Sequence, residues 1–225
     1  MKTHLLILSL SLFLSCFAQE GKTPYPEFLK HVIAQRDSFK SDYVKANSLG
    51  KDSILNQARI YLTKTLSEDI FPYWYGTKWD FNGTTRTPQK GKIACGYFIT
   101  NILSDIGLKI PRTKWAQSPS EVFIKKLAFG NLNRFSNKPI SEIKDFLKKK
   151  GEGLYVVGLD YHVGFVLVTK EKIRFIHADY YEPDIGVVSE EIDSFSPIND
   201  SSYRVFGKLM EKQMIINWIQ GISFN

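Results

Sequence analysis

Three short apolar runs, residues 154–159, 163–168 and 173–176, follow one another in the second half of the chain. They are rich in β-branched and aromatic residues, with turn residues such as Asp160-Tyr161 and Lys170-Glu171-Lys172 between them. Links this short cannot carry a parallel crossover, so the runs predict an antiparallel meander. Upstream the period is helical. Phe28, Leu29, Val32, Ile33 and Phe39 share one side of a helix over residues 24–46. Asp52 or Ser53 caps a second helix to about residue 66, with Ile54, Leu55, Ala58, Tyr61 and Leu62 facing inward. Residues 71–91 read as an aromatic loop. Residues 94–106 read as a buried helix stopped by Gly107, and residues 141–150 as a surface helix ended by Gly151. A strand over residues 203–209 and a helix over 211–219 close the chain. Helices first and strands later predict an α+β fold.

The chain has 225 residues, enough for one core plus a small helical extension, and 43% are hydrophobic against 24% charged, which excludes general disorder. Residues 1–18 stand apart. Lys2 precedes an apolar run over residues 5–14 that is too short to span a membrane, and Cys16-Phe17-Ala18 follows. This predicts a signal peptide cleaved after Ala18 and hence a secreted or periplasmic protein. The rival is a lipoprotein acylated on Cys16. The expected layout is a leader over residues 1–18, a helical region over 19–70 packed on the rest, and a main domain over 71–225. The formal charge of +7 would draw such a protein to anionic surfaces such as wall polymers or lipid head groups. There is no long basic run, and Lys148-Lys149-Lys150 fits the solvated end of a helix, so no nucleic-acid partner is expected.

Only Cys16 and Cys95 are present. Once the leader is removed Cys95 stands alone, without an intramolecular disulfide partner. An unpaired thiol in an oxidising compartment is either buried or useful. Cys95 falls in the first turn of the predicted 94–106 helix, where the positive helix end favours a thiolate. His31 reads as a surface residue. His162 and His177 lie on strands that can be neighbours. His162 can serve as general base, His177 can orient it through the second ring nitrogen, and the Cys95 amide can donate to an oxyanion. One cysteine and two histidines without a close ligand pair make no zinc motif, and no Gly-x-Ser-x-Gly supports a serine nucleophile. No metal or cofactor is expected.

Several stretches carry a resemblance to a known family. They are Gly76-Thr77-Lys78-Trp79-Asp80-Phe81-Asn82-Gly83, Ala94-Cys95-Gly96-Tyr97-Phe98, Ile110-Pro111-Arg112-Thr113, His162-Val163-Gly164-Phe165 and Phe175-Ile176-His177-Ala178. In this order the chain resembles the NlpC-type papain-like cell-wall peptidases and amidases over roughly residues 71–180. The resemblance implies a papain-like fold with the nucleophile helix on an antiparallel sheet. It implies a Cys95-His162-His177 triad and hydrolysis of an amide bond in peptidoglycan peptides. The aromatic and polar residues Trp74, Tyr75, Trp79, Asp80 and Tyr161 would contact substrate. The Cys95-to-His162 interval is long for the family, which places an insertion near residues 118–150. Three positions depart from the pattern. Ala94 and Gly96 stand where the family has the Asp and Ser that help hold a free amino terminus, and Trp79 stands for a Tyr, with Tyr75 and Asp80 as nearby substitutes. A decayed wall-binding module, and an acyltransferase or lipid esterase with the same triad, are the alternatives.

Overall fold

A computed structural model describes residues 23–224. The leader, its cleavage after Ala18 and the acylation of Cys16 lie outside the described residues. The architecture is mixed α+β, with helices around a six-stranded antiparallel sheet of order β3-β8-β4-β5-β6-β7. The strands are β3 (Leu132–Ser136), β4 (Gly153–Leu159), β5 (Val163–Val168), β6 (Ile173–Ala178), β7 (Val187–Glu191) and β8 (Tyr203–Lys208). Two further short strands, β1 (Lys78–Trp79) and β2 (Lys92–Ile93), pair in parallel apart from this sheet.

The central strands are apolar on both faces, and each face has its own cover. Leu154, Val156, Phe165 and Ile176 belong to the larger core, with helix α4 (Cys95–Asp105) against β5 and β6. On the other face Tyr155, Val157, Val166, Phe175 and Phe206 pack with Ile143 and Leu147 of α7 (Ile140–Lys150). The alternation follows from the period of two along a strand. The edge strands are less regular: β3 pairs only β8, and β7 pairs β6.

Helices α1 (Tyr25–Lys45) and α2 (Ser48–Lys64) share the larger core with the closing helix α9 (Lys212–Gln220). The second helix begins four or five residues before the expected cap, because Asn47 accepts the Gly50 amide at 2.9 Å. It also runs further than expected. A π-helical stretch, Thr65–Ile70, carries it into α3 (Phe71–Trp74). Pro72 has no amide to offer the carbonyl four residues back, and the wider turn ahead of it absorbs that loss. Between the predicted elements lie two unanticipated helices, α5 (Arg112–Ala116) and α6 (Ser120–Leu127). A one-turn helix α8 (Pro197–Asp200) precedes β8. The 118–150 stretch is woven into the fold: Phe123, Ile124 and Leu127 enter the core and β3 joins the sheet. Among the described residues no helix is long and apolar enough to cross a membrane.

The first helix is tied to the nucleophile helix by buried polar groups. The Trp74 indole donates to the Tyr25 hydroxyl at 3.0 Å, and that hydroxyl donates to Asp105 Oδ2 at 2.7 Å. Arg86 closes the chain on Asp105 Oδ1 at 3.1 Å. Burial pushes both the Tyr25 phenol and the Asp105 carboxyl up. Replacing Tyr25 by Phe leaves the indole N–H and one carboxylate oxygen without their partner. The expected cost is about 1–3 kcal/mol, seen as a lower melting temperature of the whole cooperative transition rather than fraying of α1 alone.

Candidate active site

Cys95 opens α4 because of the backbone just before it. Ile93 is buried, the Ala94 amide donates to the Gly83 carbonyl at 2.9 Å, and Ala94 is extended at the N-cap with φ −85° and ψ 157°. Alanine offers no capping side chain, so the first turn of α4 has no side-chain acceptor for its amides. Gly96 is forced by packing. A Cβ there would lie 2.3 Å from the Ala116 carbonyl oxygen at the end of α5. The serine usual in the resembled family does not fit against this neighbour. Gly96→Ser is expected to displace α5 and cost about 1–3 kcal/mol as an overpacked site, measurable by thermal denaturation. An unchanged melting temperature would mean that α5 yields freely.

His162 comes from a hairpin. The Leu159 amide donates to the His162 carbonyl at 2.8 Å, so Asp160 and Tyr161 form the tip between β4 and β5. The Asp160 carboxylate accepts the Ser202 and Tyr203 amides at 2.7 and 3.1 Å, which fastens that tip to the start of β8. His162 Nε2 lies 3.0 Å from His177 Nδ1, with the rings near perpendicular at 87°. His177 stacks on Phe175 at 4.2 Å between centroids. Gly164 leaves room for this stack, since a Cβ there would sit 2.3 Å from the Phe175 ring and 3.1 Å from the His177 Cβ. On its far side His177 Nε2 meets Glu190 Oε1 of β7 at 3.0 Å. Register brings Glu190 there, for it faces Phe175 across β6 and β7 and reaches His177 diagonally.

Cys95 and His162 line the same cleft, with Val163 next to His162 in its wall. His162 Nδ1 is buried and has no hydrogen-bond partner. Burial pushes the Cys95 thiol up, and the amides of Gly96, Val163 and Cys95 itself only offset this in part. Burial, and then the neighbouring His177, hold His162 well below its ordinary range. Burial thus disfavours the charged form of both groups, against the thiolate that a helix start alone suggests. Alkylation by iodoacetamide is expected to rise with pH along a thiol titration shifted above that of free cysteine. A rate already on its plateau in mild acid would reveal a resting ion pair instead.

The cleft has two halves, of about 520 and 780 Å³, that meet at Cys95, Gly96 and His162. Trp79 and Tyr161 line it, and Tyr161 stands at its lip, 91% exposed. The Trp79 indole Nε1 is buried without a partner. Trp74, Tyr75 and Asp80 do not line it. Trp74 is fully buried and held by Tyr25, because α3 turns its ring into the core. Tyr75 lines a separate hollow with Arg174 and Ser189. Asp80 is spent on its own loop, accepting the Asn82 amide at 2.9 Å and the Lys92 ammonium at 3.2 Å. His31 is exposed on α1. Sequence reasoning missed Glu190 and Tyr180, whose ring lies 5.0 Å from that of His162. Pairing of β7 with β6 was the signal that would have found Glu190. Among the described residues no group of three or more His, Cys, Asp or Glu side chains is placed to hold a metal ion.

Compared with protein-family models, curated proteins and solved structures, the chain matches none.

Proposed function

We propose that the chain is a secreted, papain-like cysteine hydrolase of NlpC type that cleaves an amide bond in peptidoglycan peptides. One observation carries this reading: His162 is hydrogen-bonded to His177 through Nε2 while its Nδ1 stays unpartnered in the cleft that holds Cys95. A buried polar atom without a partner is costly in a fold, and such atoms gather where chemistry supplies the partner. In this mechanism His162 takes the thiol proton as the sulfur attacks the amide carbon. The Cys95 amide and the Trp79 indole N–H then donate to the oxyanion. As the C–N bond breaks, His162 returns the proton to the departing amine. Water, deprotonated by His162, releases the acid from the thioester.

The larger half of the cleft bears on the substrate. Among its lining residues none is Asp, Glu, Lys or Arg. In the other half Glu121 already serves Arg134 at 2.6 Å and the Tyr203 hydroxyl at 2.7 Å, and Asp160 serves backbone amides. No free carboxylate therefore waits for an ammonium group, which agrees with Ala94 and Gly96 in place of the family's Asp and Ser. The enzyme is read as cutting internal amides. The same uncharged half, with Phe81 exposed at 80%, favours acyl transfer or lipid-ester hydrolysis as the second reading.

The test is incubation of the mature protein with muropeptides, with a peptide series bearing free or acetylated amino termini, and with phospholipid vesicles, each followed by mass spectrometry. Amide cleavage is expected, about equal for free and acetylated peptides, and abolished in Cys95→Ala and His162→Ala with the fold intact. Trp79→Phe should lower kcat by about 10²–10³-fold, as loss of one oxyanion donor does. Release of fatty acid alone would favour the second reading. Binding to wall fragments without any turnover would mark a decayed module, and full activity in Cys95→Ala would overturn the mechanism.

A further inference from the structure

The histidine pair does not end at His177. We infer that Glu190 is a positioning residue that sets the tautomer of both rings and so keeps the His162 Nδ1 lone pair free. The inference rests on the proposed base role of His162 only for its functional meaning; the proton positions follow from geometry. A glutamate carboxylate accepts hydrogen bonds and does not donate. At 3.0 Å from Glu190 Oε1, His177 Nε2 must therefore carry the proton. In a neutral ring that leaves Nδ1 as the acceptor. At 3.0 Å from that acceptor, His162 Nε2 must carry its own proton. His162 Nδ1 is then bare, and it is the atom that has no protein partner. One carboxylate thus dictates the proton positions on two rings through two hydrogen bonds.

The surroundings leave the task to Glu190. His162 and His177 are 4% and 0% exposed, so water does not set their protons. The other close neighbours meet the rings face to face or edge on: Phe175 stacks on His177, and Tyr180 tilts beside His162 at 5.0 Å between centroids. Of the charged side chains near this edge, the Asp179 carboxylate accepts the Tyr181 amide at 2.8 Å, while Arg174 and Glu191 pair with each other at 2.7 Å. Arg174 and Glu191 belong to the opposite face of the strands, because side chains alternate. Glu190 is also set to act when the site is charged. Once His162 holds the thiol proton, its Nε2–H strengthens toward His177, and His177 Nε2–H strengthens toward the carboxylate, with no proton passed along the chain.

The experiment is histidine-selective ¹⁵N NMR on the mature protein, which reads which ring nitrogen bears hydrogen without any substrate. In the wild type both His162 and His177 are expected as Nε2–H tautomers. In Glu190→Leu the bias is removed, and His162 should show a population with hydrogen on Nδ1. Glu190→Gln, which keeps the shape, can turn its amide N–H toward His177 and should show the same change more weakly. It secures the test if the leucine variant does not fold. With a turnover substrate, Glu190→Gln should lower kcat about 10–100-fold with little change in KM. That is less than the ~10⁴-fold known when a residue bonded directly to the base loses its charge. An Nδ1–H tautomer of His162 in the wild type, or tautomers unmoved in both variants, would overturn the inference. Correct tautomers in a protein without hydrolytic activity would instead sink the proposed function and leave the inference standing.

Discussion

The burial of both faces of β4, β5 and β6 is the constraint from which the rest follows. Strands apolar on each side cannot be left half-wet, so the sheet needs a helical cover on each face. Helix α4 with its companions supplies one cover and α7 the other. The cover by α4 also decides where chemistry can sit. Its N-terminus is brought to the end of the sheet at which β4 turns into β5. A side chain in the first helical turn and one at the hairpin end therefore line one cleft, Cys95 and His162.

Two glycines show how narrow the tolerances are. Gly96 admits the Ala116 carbonyl beside the start of α4, and Gly164 admits the Phe175–His177 stack next to His162. In both places a missing Cβ lets a neighbour approach the backbone closely. The electrostatics follow from the same closeness. Burial opposes charge on both Cys95 and His162.

Much of the fold was legible because it rests on periodicity. The meander of β4, β5 and β6 and helices α1, α4, α7 and α9 lie within a few residues of where spacing put them. The elements that escaped carry mixed signals. Strands β3 and β7, at the sheet's edges, hold Asn133, Arg134, Ser189, Glu190 and Glu191 among few apolar residues. Pro72 made a helical stretch read as loop. The placement of His162 beside His177 was legible from adjacent strands, but Glu190 was not, because its reach depends on a register that one chain's composition does not reveal. Trp74 and Tyr75 misled for a related reason. Aromatics next to a motif look like a cleft until the helix turn shows which way each ring faces.

The contact between α1 and α9 joins the first and last described helices, with Phe39 against Trp218 at 6.1 Å between centroids. Such pairing across almost the whole chain raises contact order. It also orders events during synthesis. Helix α1 leaves Phe39 without its Trp218 neighbour until residues 212–220 arrive. A chain delivered through a pore in extended form would meet this closure only at the end of its passage. The fold as a whole would then close late, once residues 212–220 have arrived.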